Sequence, residues 1–141
     1  MTDYLDTSLL VAAATREPKT IGTQGWLSAR PAGALAISDW VIAEFSAALS
    51  VKLRTRQLNV SERADALAKF AQWTAEAFET LPVKKSSFQS AAKFADQYKL
   101  GLRAGDALHM AIAFEAGARL CTLDSDLYHA ASALSVNAML L

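Results

Sequence analysis

The stretch Arg103-Ala104-Gly105-Asp106-Ala107-Leu108-His109-Met110-Ala111-Ile112-Ala113-Phe114-Glu115-Ala116-Gly117-Ala118-Arg119-Leu120-Cys121-Thr122-Leu123-Asp124 decides the fold class. Up to Ala116 it is rich in alanine, leucine and methionine, which lose little side-chain freedom in a helix. Gly117 is the expected C-terminal cap, because glycine accepts a left-handed backbone without a Cβ clash. Leu120 to Leu123 is a short apolar run of strand length, and Asp124 closes it. A helix feeding a buried strand that ends in an acid is the second half of a βαβ unit.

The same unit recurs outward in both directions. Upstream, Tyr4-Leu5 reads as a strand ending at Asp6, with Thr7 or Ser8 as the hydroxyl cap of a helix through Ala14. Pro18 and Gly22 bracket a break, a second helix runs to about Arg30, and Pro31 and Gly33 stop it. Ala34 to Ile37 fits a second buried strand. Ser38 is placed to cap a helix from Asp39 to about Lys52, on which Val41, Phe45 and Leu49 form a core-facing stripe. Ser61 is read as the cap of a helix from Glu62 to about Phe78, and Leu81-Pro82-Val83 as an edge strand at most. Lys85 to Tyr98 reads as a helix broken by Gly101. Beyond Asp124, a short helix over Asp126 to Leu134 and a strand over Val136 to Leu141 are expected. No repeat, linker or low-complexity tract interrupts the alternation, which predicts one α/β domain with a parallel sheet covered on both faces.

Composition narrows the function classes. Basic and acidic residues number 14 each, so the formal charge is zero and any nucleic-acid binding must use a local patch. The longest apolar run, Leu9 to Ala14, is far below the roughly 20 residues a membrane-spanning helix needs. The opening Met1-Thr2-Asp3-Tyr4-Leu5-Asp6 lacks the basic start and apolar stretch of a secretory signal, so a cytoplasmic protein is expected. The single cysteine, Cys121, cannot form an internal disulfide or a zinc cage and reads as a small buried hydrophobe.

In an open parallel sheet ligands bind beyond the carboxyl ends of the strands. Asp6 follows the first strand, and Asp124 ends the Leu120–Leu123 strand. Glu44 lies in the second turn of the helix leaving the second strand, and Asp106 in the first turn of the helix quoted above. Four acids from four segments thus meet at one rim. Two carboxylates about 4 Å apart repel by roughly 4 kcal/mol at an effective dielectric near 20, so the cluster calls for a cation. All-oxygen ligation suits Mg²⁺ or Mn²⁺, and such ions serve phosphodiester hydrolysis. Singly, each acid is equally a helix cap or a solvated charge; the combination carries the reading.

At Tyr4-Leu5-Asp6-Thr7-Ser8, Ile37-Ser38 with Glu44, Leu102-Arg103-Ala104-Gly105-Asp106-Ala107-Leu108-His109 and Cys121-Thr122-Leu123-Asp124, the chain closely resembles the PIN-domain family, in particular VapC-type toxin ribonucleases. The resemblance implies a PIN-like three-layer fold, a short and mostly parallel central sheet flanked by helices, as a single domain over 1–141. It also implies an Mg²⁺- or Mn²⁺-dependent endoribonuclease, homodimerisation and inhibition by a cognate antitoxin. Asp6, Glu44, Asp106 and Asp124 correspond to the family's four metal-holding acids, and Thr7 or Thr122 to a hydroxyl that orients a carboxylate or water. Asp126 competes with Asp124, which is preferred because it directly follows Thr122-Leu123.

Several other residues have blander readings. His109, one turn after Asp106, is expected to hydrogen-bond behind the site or pack in a partly buried position rather than to catalyse. His129 reads as a surface residue. Lys52, Arg54 and Arg56 form one basic group, and Lys84, Lys85, Lys93, Lys99 and Arg103 another; Arg103 is the first choice for a phosphate contact. Trp26, Trp40 and Trp73 read as core or interface residues, and Phe70, Trp73 and Phe78 as a face for a second subunit or an antitoxin. A signalling receiver domain would need adjacent acids near the first strand and a late lysine; Asp3 and Asp6 are not adjacent and no lysine follows Lys99. A haloacid-dehalogenase-type phosphatase would need an aspartate where Ser8 stands. The remaining alternative is a catalytically inactive PIN-like module that binds RNA or protein.

Overall fold

A computed structural model describes residues 1–141. Strands β1 (Asp3–Leu5), β2 (Leu35–Ser38), β3 (Phe78–Leu81), β4 (Arg119–Thr122) and β5 (Ala138–Leu140) form one sheet in the order β3-β2-β1-β4-β5. All four pairings are parallel. The three inner strands are buried almost throughout, whereas the edges β3 and β5 are largely uncovered, which is why only the inner three read as apolar runs. Tyr4 pairs with Ala36 on one side and Leu120 on the other, so β1 is the centre of the sheet.

Helices α1 (Thr7–Ala14) and α2 (Thr20–Ser28) connect β1 to β2; α3 (Asp39–Arg54) and α4 (Val60–Glu76) connect β2 to β3. Helices α5 (Lys85–Ala95) and α6 (Ala104–Glu115) return the chain across the sheet to β4, and α7 (Ser125–Ala133) leads to β5. Right-handed crossovers place α1 to α4 on one face and α5 to α7 on the other. Helices α1, α3 and α4 pack on one another, and α5 pairs with α6. The strand order reverses between β1 and β4, and the carboxyl ends of the strands at such a switch point are where open parallel sheets bind ligands.

The core confirms the α3 stripe: Val41, Phe45 and Leu49 are fully buried. Phe45 stacks on Phe70 of α4 with ring centroids 4.1 Å apart. Phe70 is therefore a core residue rather than part of an outer face. Trp73 and Phe78 remain half-buried beside it. Cys121 is free and buried, and burial pushes its thiol up to about 12, as suits a packing residue. None of the helices is long and apolar enough to cross a membrane.

Several boundaries differ from the sequence reading. Asp6 itself caps α1, accepting from the backbone N–H groups of Ser8 and Leu9, so neither Thr7 nor Ser8 is the cap. Asn59 rather than Ser61 caps α4, in a reciprocal capping box with Glu62; the amide at this position reaches the N3 backbone that Ser61 is already inside the helix to meet. Helix α4 ends at Glu76, and Phe78–Leu81 forms the edge strand that was placed around Pro82, because pairing with β2 needs the backbone N–H groups proline lacks. Helix α5 stops at Ala95 and a single 3-10 turn over Tyr98–Leu100 precedes Gly101, whose φ of 64° is left-handed. Asp124 caps α7, which begins at Ser125.

Candidate active site

Asp6, Glu44, Asp106 and Asp124 come from four segments around the carboxyl ends of β1 and β4. Asp6 stands at the end of β1 and is 4% exposed. One of its oxygens takes hydrogen bonds from the Ser8 hydroxyl and from the N–H groups of Ser8 (2.9 Å) and Leu9 (3.4 Å). The other accepts from Thr122 Oγ1 at 2.7 Å. Burial raises the Asp6 carboxyl above its ordinary value, although His109 and these hydrogen bonds pull the other way. Thr122 is itself aimed by the Asp124 N–H, which donates to its oxygen at 2.9 Å.

Glu44 lies half-buried on α3. Its Oε1 accepts from Thr7 Oγ1 at 2.7 Å and is paired with His109 Nε2. Burial alone would raise the Glu44 carboxyl, but the hydrogen bond and charge of His109 and the bond from Thr7 outweigh it and hold the group low. Thr7 and Thr122 thus each orient one carboxylate.

Asp106 sits half-buried in the first turn of α6, where the helix dipole favours an anion. Burial raises its carboxyl, and the negative charges of Asp124, Asp6 and Glu44 raise it further, with His109 alone opposing them. None of the three ion pairs in the protein includes Asp106. Asp124 is half-buried and enters these surroundings, whereas Asp126 is exposed and does not. Asp124 also caps α7, accepting from the Asp126 and Leu127 N–H groups at 2.9 and 3.3 Å. Arg103 occupies the exposed N-cap position of α6, next to this cluster in the chain. Lys52, by contrast, is engaged by Glu17 at 3.0 Å.

The donor chemistry fits a hard divalent cation: carboxylate oxygens only, with Asp106 half-buried and outside every ion pair. The side chains are nonetheless open, with no three His, Cys, Asp or Glu groups closed around a common point.

Three participants escaped the sequence reading. Tyr4 is fully buried, and its hydroxyl meets Ser38 Oγ at 2.8 Å and His109 Nδ1 at 2.9 Å. Ser38 occupies the N-cap position of α3 but makes no side-chain bond to the helix, because the buried Tyr4 hydroxyl takes its Oγ. His109 makes the hydrogen bond expected of it behind the site, to Glu44, and at 2% exposed it is fully rather than partly buried. Gly105 is the third: a Cβ there would meet Glu44 Oε2 at 3.1 Å and Trp40 Cζ2 at 3.3 Å. Glycine in the alternation before Asp106 was the one available signal.

Gly105→Ala is therefore expected to forgo the roughly 1 kcal/mol that alanine normally adds inside a helix. Glu44 is tied by Thr7 and His109 and cannot yield freely. Displacing it by a few tenths of an ångström should offset that gain, so the variant is expected to melt no higher than the parent. A variant that melts several degrees higher would show that the contact at Gly105 is slack.

A model of the PIN domain matches residues 4–133. Among curated proteins none matches the chain. Among solved structures, VapC20 of Mycobacterium tuberculosis, a sarcin–ricin loop cleaving toxin, superposes with a TM-score of 0.73 at 16% identity, covering 92% of this chain and 95% of that one. VapBC2 of Rickettsia felis, solved with a DNA fragment from its promoter, gives 0.69 at 16% identity and covers 100% and 99%. VapBC-5 of M. tuberculosis, of the VapBC family of toxin–antitoxin systems, gives 0.66 at 21% identity and covers 99% and 98%.

Proposed function

Because the chain belongs to the PIN-domain family over residues 4–133, we propose that it is an Mg²⁺- or Mn²⁺-dependent endoribonuclease and the toxin of a toxin–antitoxin pair. The observation that carries this reading is Asp106: a half-buried carboxylate in the first turn of α6, raised by burial and by the charges of Asp124, Asp6 and Glu44, and outside every ion pair of the protein. Such a cluster is stable only if protonated or if it receives a cation. Asp6, Glu44, Asp106 and Asp124 are the residues that would hold the ion. A bound Mg²⁺ or Mn²⁺ supplies activation of water and shielding of the phosphate oxygens.

The chain's own residues supply orientation. Thr7 and Thr122 aim Glu44 and Asp6, and both hydroxyls spend their proton on the carboxylate. Arg103 is the proposed phosphate contact, supported by its exposure at the start of α6. A cognate antitoxin is a proposed protein partner, supported by the likeness to VapBC assemblies, and a second copy of the chain is the other. The cytoplasm is the proposed location, where RNA of this kind is found. The exposed Phe88, Tyr98 and Phe114 around α5 and α6 offer apolar surface for such partners.

A non-cleaving PIN-like binding module is the second reading, favoured by the open arrangement of the donors. Cleavage of total cellular RNA separates the two. Purified protein is expected to give discrete fragments with Mg²⁺ or Mn²⁺ and none in excess EDTA, and Asp106→Asn purified identically should give none. Folded protein that binds Mn²⁺ tightly yet cuts no RNA, including RNA from its own source, would leave only the binding module.

A further inference from the structure

We infer that His109, locked by Tyr4 and Ser38, is a positioning residue that fixes the Glu44 carboxylate by one oxygen and leaves the other, Oε2, free to face the cation. The inference rests on the metal-dependent reading above and adds a role for three buried residues outside the acid cluster.

The hydrogen that meets Glu44 can be assigned from its partner. A carboxylate only accepts, so the hydrogen between Glu44 Oε1 and His109 belongs to Nε2. Nδ1 is engaged in turn by the Tyr4 hydroxyl at 2.9 Å. That hydroxyl also pairs with the Ser38 hydroxyl at 2.8 Å. The chain of hydrogen bonds thus runs from Ser38 through Tyr4 and His109 to Glu44. Tyr4 and Ser38 are fully buried and His109 nearly so, where an unmet polar group costs about 1–3 kcal/mol.

The chain joins β2, β1, α6 and α3, so the orientation of Glu44 is set by the centre of the sheet rather than by the surface. Both donors to Glu44, Thr7 and His109, sit on Oε1. Oε2 is pressed toward the first turn of α6, where only the missing Cβ of Gly105 makes room. Both ring nitrogens of His109 are committed, which leaves neither to ligate a metal nor to take a proton from water. A histidine serving only as packing would not need a tyrosine and a serine in series behind it. Outer partners of this kind typically tune metal affinity 10- to 100-fold.

Two measurements on the full chain test this. The first needs no metal: nitrogen NMR of ¹⁵N-histidine-labelled protein in EDTA is expected to show His109 with hydrogen on Nε2, and Tyr4→Phe to erode that preference. A His109 ring protonated at Nδ1 alone would overturn the inference. The second is Mn²⁺ binding without RNA, read from the free-ion electron paramagnetic resonance signal. His109→Asn should weaken binding about 10- to 100-fold, because its amide stops at the Nδ1 position and cannot reach Glu44. His109→Gln, whose amide nitrogen reaches the Nε2 position, should recover most of that loss. Equal affinities of folded Asn and Gln variants would assign His109 to packing and overturn the inference. If His109→Asn does not fold, Tyr4→Phe replaces it, and unchanged Mn²⁺ affinity in that variant counts against the inference in the same way. Should the parent protein bind no Mn²⁺ while His109 shows the Nε2–H form, the metal reading fails and the fixing of Glu44 stands.

Discussion

Asp6→Asn is expected to lose RNA cleavage by a factor of about 100 or more, roughly 2.7 kcal/mol of barrier, while melting higher than the parent in EDTA. The two effects share one cause. Asp6 is almost wholly buried, and burial raises its carboxyl above the ordinary value. Its ionised form is therefore less stable in the fold than in the unfolded chain. For a carboxyl whose folded pKa is raised, this penalty is absent below the ordinary value of 3.8, grows as pH rises through the folded value and is complete above it. Asparagine removes the charge and keeps the cap, since asparagine and aspartate serve equally at a helix N-cap. The Thr122 contact must turn round, so that the amide donates to Oγ1. Each kcal/mol gained should raise the melting temperature by roughly 3–5 °C in a chain of this size. The gap between variant and parent should close as the pH falls toward 4. Addition of Mn²⁺ should stabilise the parent and leave the variant unmoved, since only a protein that binds the ion in its folded state gains from it. A variant that melts lower than the parent at pH 7 and still cuts RNA would remove Asp6 from the site and reduce it to a cap.

Phe45→Ala is expected to cost about 3–5 kcal/mol, a large part of the 5–15 kcal/mol that holds a domain of this size folded. Phe45 is fully buried and stacks on Phe70 at 4.1 Å, joining α3 to α4 over the sheet. The cavity cannot close easily, because Val41 and Leu49 on the same stripe are also fully buried and the interior is close-packed. Urea unfolding followed by circular dichroism should show the midpoint displaced with its slope nearly unchanged. The residue before it, Glu44, belongs to the acid cluster, so α3 carries core and site on neighbouring positions. Loss of Phe45 should consequently lower Mn²⁺ affinity as well, through looser placement of Glu44. A destabilisation below about 1.5 kcal/mol would mean that α3 and α4 close over the gap.

Much of this architecture was legible in the residues. Short apolar runs at Tyr4-Leu5, Ala34–Ile37 and Leu120–Leu123 read as buried parallel strands because inner strands are covered on both faces. The edges were harder: β3, with the exposed Glu79 and Thr80, carries no apolar signal and was displaced toward Pro82. Helix caps were misjudged by one or two residues at Asp6 and Asn59, since several neighbouring side chains could each supply the oxygen and only backbone geometry selects one. The acids were visible because parallel sheets present strand ends at one rim, and Asp6 and Asp124 follow strands directly.

Local sequence thus determined the α/β class, the stripe on α3 and the candidate acids, because periodicity and strand-end position are properties of contiguous residues. Tertiary structure alone shows that Asp124 is half-buried and adds to the negative charge around Asp106 while Asp126 stays exposed, since burial is set by how α7 leaves the sheet. It alone joined Tyr4 to Ser38 across 34 residues, His109 to Glu44 across 65 and Tyr4 to His109 across 105. Those pairings depend on strand order and register, which bring distant side chains together at the centre of the sheet and leave no trace in the spacing of the residues themselves.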